Sequence, residues 1–278
     1  MTNSVSPSRL AGLLGAGSLR LIDARNTLDD PEAGKLAWRA GHIPGAVHLS
    51  LDPDLSGPAG ERGGRHPLPE VPLMVETFEA AGISDDSDVV VYDDVTGMFA
   101  GRVWWMLRYL GHARVRVLDG GFNAWVAGGH EVVTAGHVPG RGTLTARPRA
   151  DMLASREEVE GRQAGAGTVL MDARSAERFS GRVAQMDRIP GRIPGAVNRP
   201  YADNLTPDGS LRTAEELHEL YSGLGDDVIT YCGSGVSATL DILAMEEAGL
   251  GLPRLYAGSF SDWISVPGAP VERDEDAT

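Results

Sequence analysis

VITYCGSGVSATLDILAMEEAGL, residues 228–250, contains the only cysteine of the chain. Val228 to Tyr231 are β-branched or aromatic and read as a strand. From Ser237 onward the apolar spacing is helical and runs to Gly249, a residue type that stops helices. Cys232 therefore sits where a strand ends and a helix is about to begin, in a turn of small uncharged residues. Open parallel sheets bind ligands at the carboxyl ends of their strands. Gly233 and Gly235 let the backbone curl so that the amides of Gly233, Ser234, Gly235, Val236, Ser237 and Ala238 converge on one point, with the helix dipole behind them. A thiolate held there is stabilised, and its pKa is expected below the free value of about 8.5. A cysteine that merely fills a core needs none of this, so Cys232 is read as a nucleophile.

Outward from this stretch, the chain is written twice. LRLIDARN (19–26), GHIPGAV (41–47), DVVVYDD (88–94) and RVLDGGFNAW (116–125) recur in the same order as TVLMDARS (168–175), GRIPGAV (191–197), DVITYCG (227–233) and RLYAGSFSDW (254–263). The recurrence predicts a tandem duplication: one domain over residues 1–140, a Pro/Gly/Arg-rich linker over 141–152 and a second domain over 153–278. Short apolar runs bounded by Gly and Asp alternate with helical patterns at 72–82, 100–111, 213–225 and 237–249. Thr213 and Glu216 form the signature of a capping box. The expected class is α/β, each copy a mainly parallel sheet flanked by helices. The IPGA turns and the Asp23–Arg25 and Asp172–Arg174 pairs are read as structural devices that deliver strands and tie down loops.

Aligning Tyr92 with Tyr231 places Asp93 where Cys232 stands in the second copy. A carboxylate is no sulfur nucleophile, so the second copy is expected to be catalytic. The first is expected to supply packing and part of the cleft.

Composition sets the remaining bounds. The 278 residues carry a formal net charge of −14, which repels nucleic acid and anionic membranes. An apolar content of 42% suffices for a buried core. One cysteine makes no internal disulfide and suits a reducing compartment. MTNSVSPSRLAGLLGAG has no basic segment followed by a long apolar run, and no stretch nears the roughly 18 apolar residues of a bilayer span. A cytoplasmic location is expected. The seven histidines are scattered, with no ligand spacing beside the cysteine, so no metal or organic cofactor is implied.

The duplicated DAR, GHIPGA and LDGG…W blocks, with a cysteine loop in the second copy only, resemble the two-domain rhodanese sulfurtransferases from about Leu19 to Trp263. The loop CGSGVSA (232–238) resembles the 3-mercaptopyruvate sulfurtransferase branch, whereas thiosulfate-preferring relatives carry Arg and Lys after the cysteine. A dianionic donor calls for cations in the loop, and Gly233 and Ser234 are neutral. The resemblance implies a proton relay of Ser234, His66 (in RHPLP) and Asp52 (in HLSLDP), and two arginines for the substrate carboxylate. Arg178 aligns with the first. Arg188 and Arg182 compete for the second, in a segment shorter than the family's, and Arg188 is preferred. Arg192 replaces the histidine of the second GHIPGA and adds a cation.

The activity implied is transfer of sulfur from 3-mercaptopyruvate, through a Cys232 persulfide, to thioredoxin, a small thiol or cyanide. Pyruvate leaves, and a monomer is expected. Thiosulfate as donor is the alternative within the family. A phosphatase or arsenate reductase would need Arg six residues after the cysteine, where Ala238 stands. A non-catalytic binding module would have lost the nucleophile from both copies.

Overall fold

The computed structural model describes residues 2–94, 96–162 and 167–274. The chain divides into two compact units. The first contains β1 (Ser4–Val5), β2 (Leu19–Asp23), β3 (Ala46–His48), β4 (Asp88–Tyr92) and β5 (Val115–Leu118) in a five-stranded sheet of order β1-β5-β4-β2-β3. The second contains β6 (Thr168–Asp172), β7 (Val197–Asn198), β8 (Asp227–Tyr231) and β9 (Arg254–Leu255), of order β7-β6-β8-β9. Every pairing between these named strands is parallel. Parallel neighbours need crossover connections, which explains the alternation of strand and helix along the chain. The repeated blocks fall on equivalent strands: Asp23 pairs with Tyr92 as Asp172 pairs with Tyr231.

The units are not continuous in sequence. Residues 58–68 belong to the second unit, and residues 205–211 belong to the first. The first exchanged segment is stitched to the turn after β9: the Gly63 N–H donates to Asp262 Oδ1 (2.7 Å) and the Arg65 N–H to Ser261 Oγ (3.1 Å). Gly64 has φ +82°, and a Cβ there would lie 2.5 Å from the Gly258 carbonyl oxygen, so only glycine lets the strands of chain meet so closely. In the other direction, the Leu211 N–H donates to Asp119 Oδ1 (2.8 Å). Composition gives no hint of such an exchange.

The helices expected from periodicity are present as Val71–Ala80, Met98–Tyr109, Ala214–Tyr221 and Ala238–Glu247. Thr213 and Glu216 close the capping box at the third of these. The two-residue strand β1, on the sheet edge, is too short to leave a periodic signal. In the first unit, Ile43, Val90, Tyr92 and Trp125 pack together; in the second, Ile193, Ile229, Tyr231, Phe260 and Trp263 do the same. Among the described residues no helix is long and apolar enough to cross a membrane.

The Asp-x-Arg pairs tie loops down in both units. Arg25 binds Asp23 and donates to the Gly41 carbonyl (2.7 Å), while Arg174 binds Asp172 and donates to the Gly191 carbonyl (2.8 Å). Each guanidinium lies 4.0 Å from a phenylalanine ring centre, Phe122 or Phe260. The buried Tyr92 and Tyr231 hydroxyls accept from the Ile43 and Ile193 N–H groups, both at 3.2 Å. The backbone before each IPGA strand is thereby fixed twice.

Candidate active site

Cys232 follows β8 directly, and the helix Ala238–Glu247 starts six residues later. The thiol is 2% exposed. Burial alone would push its pKa up, and this is the largest single influence. The Ser237 hydroxyl and the N–H groups of Ala238, Ser234 and Gly235 together outweigh it and hold the thiol below its ordinary value. The Gly235 N–H donates to Cys232 Sγ at 3.1 Å. Gly235 has φ +78°, and a Cβ there would stand 2.3 Å from the Ala257 carbonyl oxygen. The curled loop thus depends on this glycine both for conformation and for space.

The Cys232 main chain is anchored from the turn after β9. Its N–H donates to Ser259 Oγ (3.1 Å), and the Ser259 hydroxyl donates onward to the Tyr256 carbonyl (3.0 Å). The N–H groups of Phe260 and Ser261 donate to the carbonyls of Cys232 and Gly233, each at 3.0 Å. Ser259 is fully buried with φ +55°, a conformation costly for any residue with a Cβ. The corresponding residue of the first copy is Gly121, with φ +61°.

Two of the sequence-predicted polar residues meet at this loop. His66 Nδ1 and Ser234 Oγ are hydrogen-bonded at 2.8 Å, with both residues buried. They are far apart in sequence, and the link forms because residues 58–68 belong to the second unit. Asp52 lies in the first unit, on the exposed peptide before Pro53.

The loop itself is neutral, but its surroundings are not. A Cβ on Gly233 would lie 2.7 Å from Arg178 Nη2 and 2.8 Å from Arg65 Nη2, so two guanidiniums border its Cα. Both are held by Asp187: Arg65 Nη1 donates to Oδ1 (3.0 Å) and Arg178 Nε to Oδ2 (3.2 Å). Arg174 binds the same carboxylate at 3.0 Å. Burial opposes ionisation of Asp187, yet Arg178, Arg174 and Arg65 hold its pKa below the usual carboxylate range. Arg65 and Asp187 were missed by sequence reading. The one available signal was the basic residue next to His66.

The other arginines are placed differently. Arg188 donates to the Ile264 carbonyl (2.6 Å) and faces an outer cleft, and Arg182 is exposed. Arg192 is paired with Glu272 and Asp274, so the cation that replaces the family's histidine is neutralised by the C-terminal segment. Among the described residues no group of three or more His, Cys, Asp or Glu is arranged to hold a metal ion.

In the first unit, Asp93 fills the position of the thiol. Its Oδ1 accepts from the Gly97 N–H (2.9 Å), and its Oδ2 accepts from those of Phe99 (3.1 Å) and Ala100 (3.2 Å). Burial outweighs these donors and pushes its pKa up to about 6.

The model of the rhodanese-like domain matches residues 6–128 and again 155–265, most of the chain. The chain belongs to the rhodanese family. The chain is 39% identical over 275 residues to a probable 3-mercaptopyruvate sulfurtransferase of Pseudomonas aeruginosa, covering 96% of each chain. It is 40% identical over 275 residues to a putative thiosulfate sulfurtransferase of Mycobacterium tuberculosis, covering 97% of this chain and 96% of the other. Among solved structures, the 3-mercaptopyruvate sulfurtransferase from Leishmania major matches with a TM-score of 0.86 at 30% identity, covering 97% of this chain and 76% of that one. The first two names differ in sulfur donor at nearly equal identity, so likeness alone does not choose between donors.

Proposed function

We propose that this protein is a sulfurtransferase that takes sulfur from 3-mercaptopyruvate, carries it as a persulfide on Cys232 and passes it to a thiophilic acceptor. The observation that carries this reading is the cradle around Cys232: N–H groups and a hydroxyl directed at a buried sulfur, one of them at 3.1 Å. Such donors stabilise a thiolate before reaction and a negatively charged persulfide after it. The Cys232 thiolate attacks the sulfur of mercaptopyruvate and forms an S–S bond. The C–S bond breaks, its electron pair passes to the carbon framework as an enolate, and protonation gives pyruvate. The Ser234–His66 pair is the proton path in this scheme. Arg178 and Arg65 take the donor carboxylate, for which paired guanidiniums are suited. In the second half-reaction a thiol or cyanide removes the outer sulfur, so ping-pong kinetics are expected. The first unit, with Asp93 at the thiol position, is non-catalytic in this reading.

One observation favours a second donor. The guanidiniums of Arg65 and Arg178 place two cations beside a loop that has none of its own, which also suits the thiosulfate dianion. The deciding experiment compares kcat/KM for the two donors, with Cys232→Ser as the blank. Higher kcat/KM with thiosulfate overturns the donor assignment. Activity in the Cys232→Ser protein overturns the nucleophile.

A further inference from the structure

Several arginines of this acidic chain are paired with carboxylates, among them Arg65, Arg114, Arg141, Arg156, Arg174, Arg178, Arg192 and Arg254. One cleft of the second unit groups two arginines that are not so paired with a third, Arg65, that is. It measures about 640 Å³, within the range of about 300–1,000 Å³ typical of small-molecule sites. Arg62, Arg65 and Arg188 line it above an apolar floor that includes Met186, Ile264 and Val266. Arg62 has no ion pair or hydrogen bond among the described residues, and Arg188 spends one N–H on the Ile264 carbonyl without meeting a carboxylate. Glu61 is the acidic residue among those lining the cleft.

The cleft is joined to the chemistry through two residues. Arg65 lines it while its Nη2 borders Gly233, and Ser261 lines it while its N–H holds the Gly233 carbonyl at 3.0 Å. A donor with one carboxylate is satisfied by Arg178 and Arg65. Arg62 and Arg188, which meet no carboxylate, are then left over in the neighbouring cleft. Two guanidiniums that meet no carboxylate and line one cleft, in a chain of net charge −14, suit an anion.

We propose that this cleft seats the sulfur acceptor, and that the acceptor is a small thiol bearing two carboxylates, held by Arg62 and Arg188 with its sulfur directed to Cys232. The proposal rests on the persulfide reading above. The acceptor thiolate attacks the outer sulfur of Cys232–S–SH. A new S–S bond forms on the acceptor, the enzyme S–S bond breaks, and its electron pair returns to Cys232 Sγ as thiolate. The acceptor leaves as a persulfide, and no external oxidant or reductant enters. The volume of the cleft matches a small molecule and is the reason for that choice over a protein thiol.

The test uses the full chain loaded with sulfur, a gain of one sulfur mass on Cys232. Discharge is followed with mercaptosuccinate, a dicarboxylate thiol, and with neutral 2-mercaptoethanol. Arg62→Ala and Arg188→Ala are each expected to raise the KM for mercaptosuccinate about tenfold, the loss of one charge-assisted hydrogen bond. The ratio of the two thiols' kcat/KM should fall by the same factor, and Arg62→Lys should recover part of it. Reading a ratio removes any effect of Arg188 on donor loading. An unchanged ratio in both alanine variants overturns the proposal. If the wild type takes up no sulfur, the donor reading fails first, and titration calorimetry with methylthiosuccinate on the unloaded protein still tests the cleft. Binding that weakens in Arg62→Ala supports it, and absence of binding to the wild type overturns it.

Discussion

Asp93 and Cys232 hold the same place in the two units, each directly after a strand that ends in a buried tyrosine whose hydroxyl accepts a main-chain N–H. Three N–H groups converge on the carboxylate in one unit. N–H groups and a hydroxyl converge on sulfur in the other. The duplicated scaffold thus makes one kind of anion cradle twice and fills it with an oxygen acid in one copy and a thiol in the other.

The cradle predicts the pH dependence of Cys232. Because its pKa lies below the ordinary thiol value, the reactive thiolate is retained to lower pH than in a free cysteine. Alkylation by iodoacetamide should rise with pH through that lowered pKa and level off above it. An inflection at about 8.5 or higher contradicts the cradle.

Asp93 should act in the opposite sense on stability. An acid whose pKa is raised to about 6 on folding binds protons more tightly in the folded state. Stability is therefore full below the unfolded pKa and declines as pH climbs toward 6, by about 3 kcal/mol in all. Four of the five tryptophans (Trp38, Trp104, Trp105 and Trp125) lie in the first unit, so tryptophan fluorescence reports its unfolding by urea. Between pH 4 and pH 7 the wild type should lose most of this amount relative to Asp93→Asn, about 2 kcal/mol. Parallel behaviour of the two proteins would remove the buried carboxyl from the account.

His66→Ala and Ser234→Ala should each slow mercaptopyruvate turnover by about 10²-fold, the lower range for general acid–base catalysis. Alkylation of Cys232 should persist in the His66 variant, whose side chain bonds Ser234 while the Ser237 hydroxyl and the N–H groups of Ala238, Ser234 and Gly235 hold the thiol pKa down. Single-turnover release of pyruvate is the measurement, and unchanged release in both variants refutes the relay while leaving the nucleophile in place.

Ser259 offers a separation of strain from function. Ser259→Gly removes the cost of a Cβ at φ +55° and also the hydroxyl that receives the Cys232 N–H, whereas Ser259→Ala keeps the strain and loses the hydroxyl. The alanine variant should be the less stable of the two by about 1 kcal/mol in thermal or urea unfolding. Both should lose turnover with little change in donor KM. Full activity in the glycine variant would show that the serine serves the turn alone.

The cysteine loop, the two copies, their strand–helix alternation and the Asp-x-Arg ties were legible in the sequence because each depends on residues close together in the chain. Gly235 fits only a curled loop, the 228–231 run fits only a buried strand, and Thr213 with Glu216 closes a cap within one turn. Ser234 and His66 were legible through the family pattern, but their contact at 2.8 Å was not. Arg65 and Asp187 escaped notice because nothing local marks a guanidinium that will share a buried carboxylate with Arg174 and Arg178.

The sequence by itself determined that this is a duplicated α/β protein with one activated thiol, since periodicity, glycine placement and a single cysteine act over a few residues. Only the tertiary structure decided which charges surround that thiol. Residues 58–68 belong to the second unit, where Arg65 and His66 meet Gly233 and Ser234, and the same packing turns Arg192 to Glu272 and Asp274 and Arg188 to the outer cleft. Electrostatic partners are chosen by distance in space, and distance in space between remote segments is set by packing.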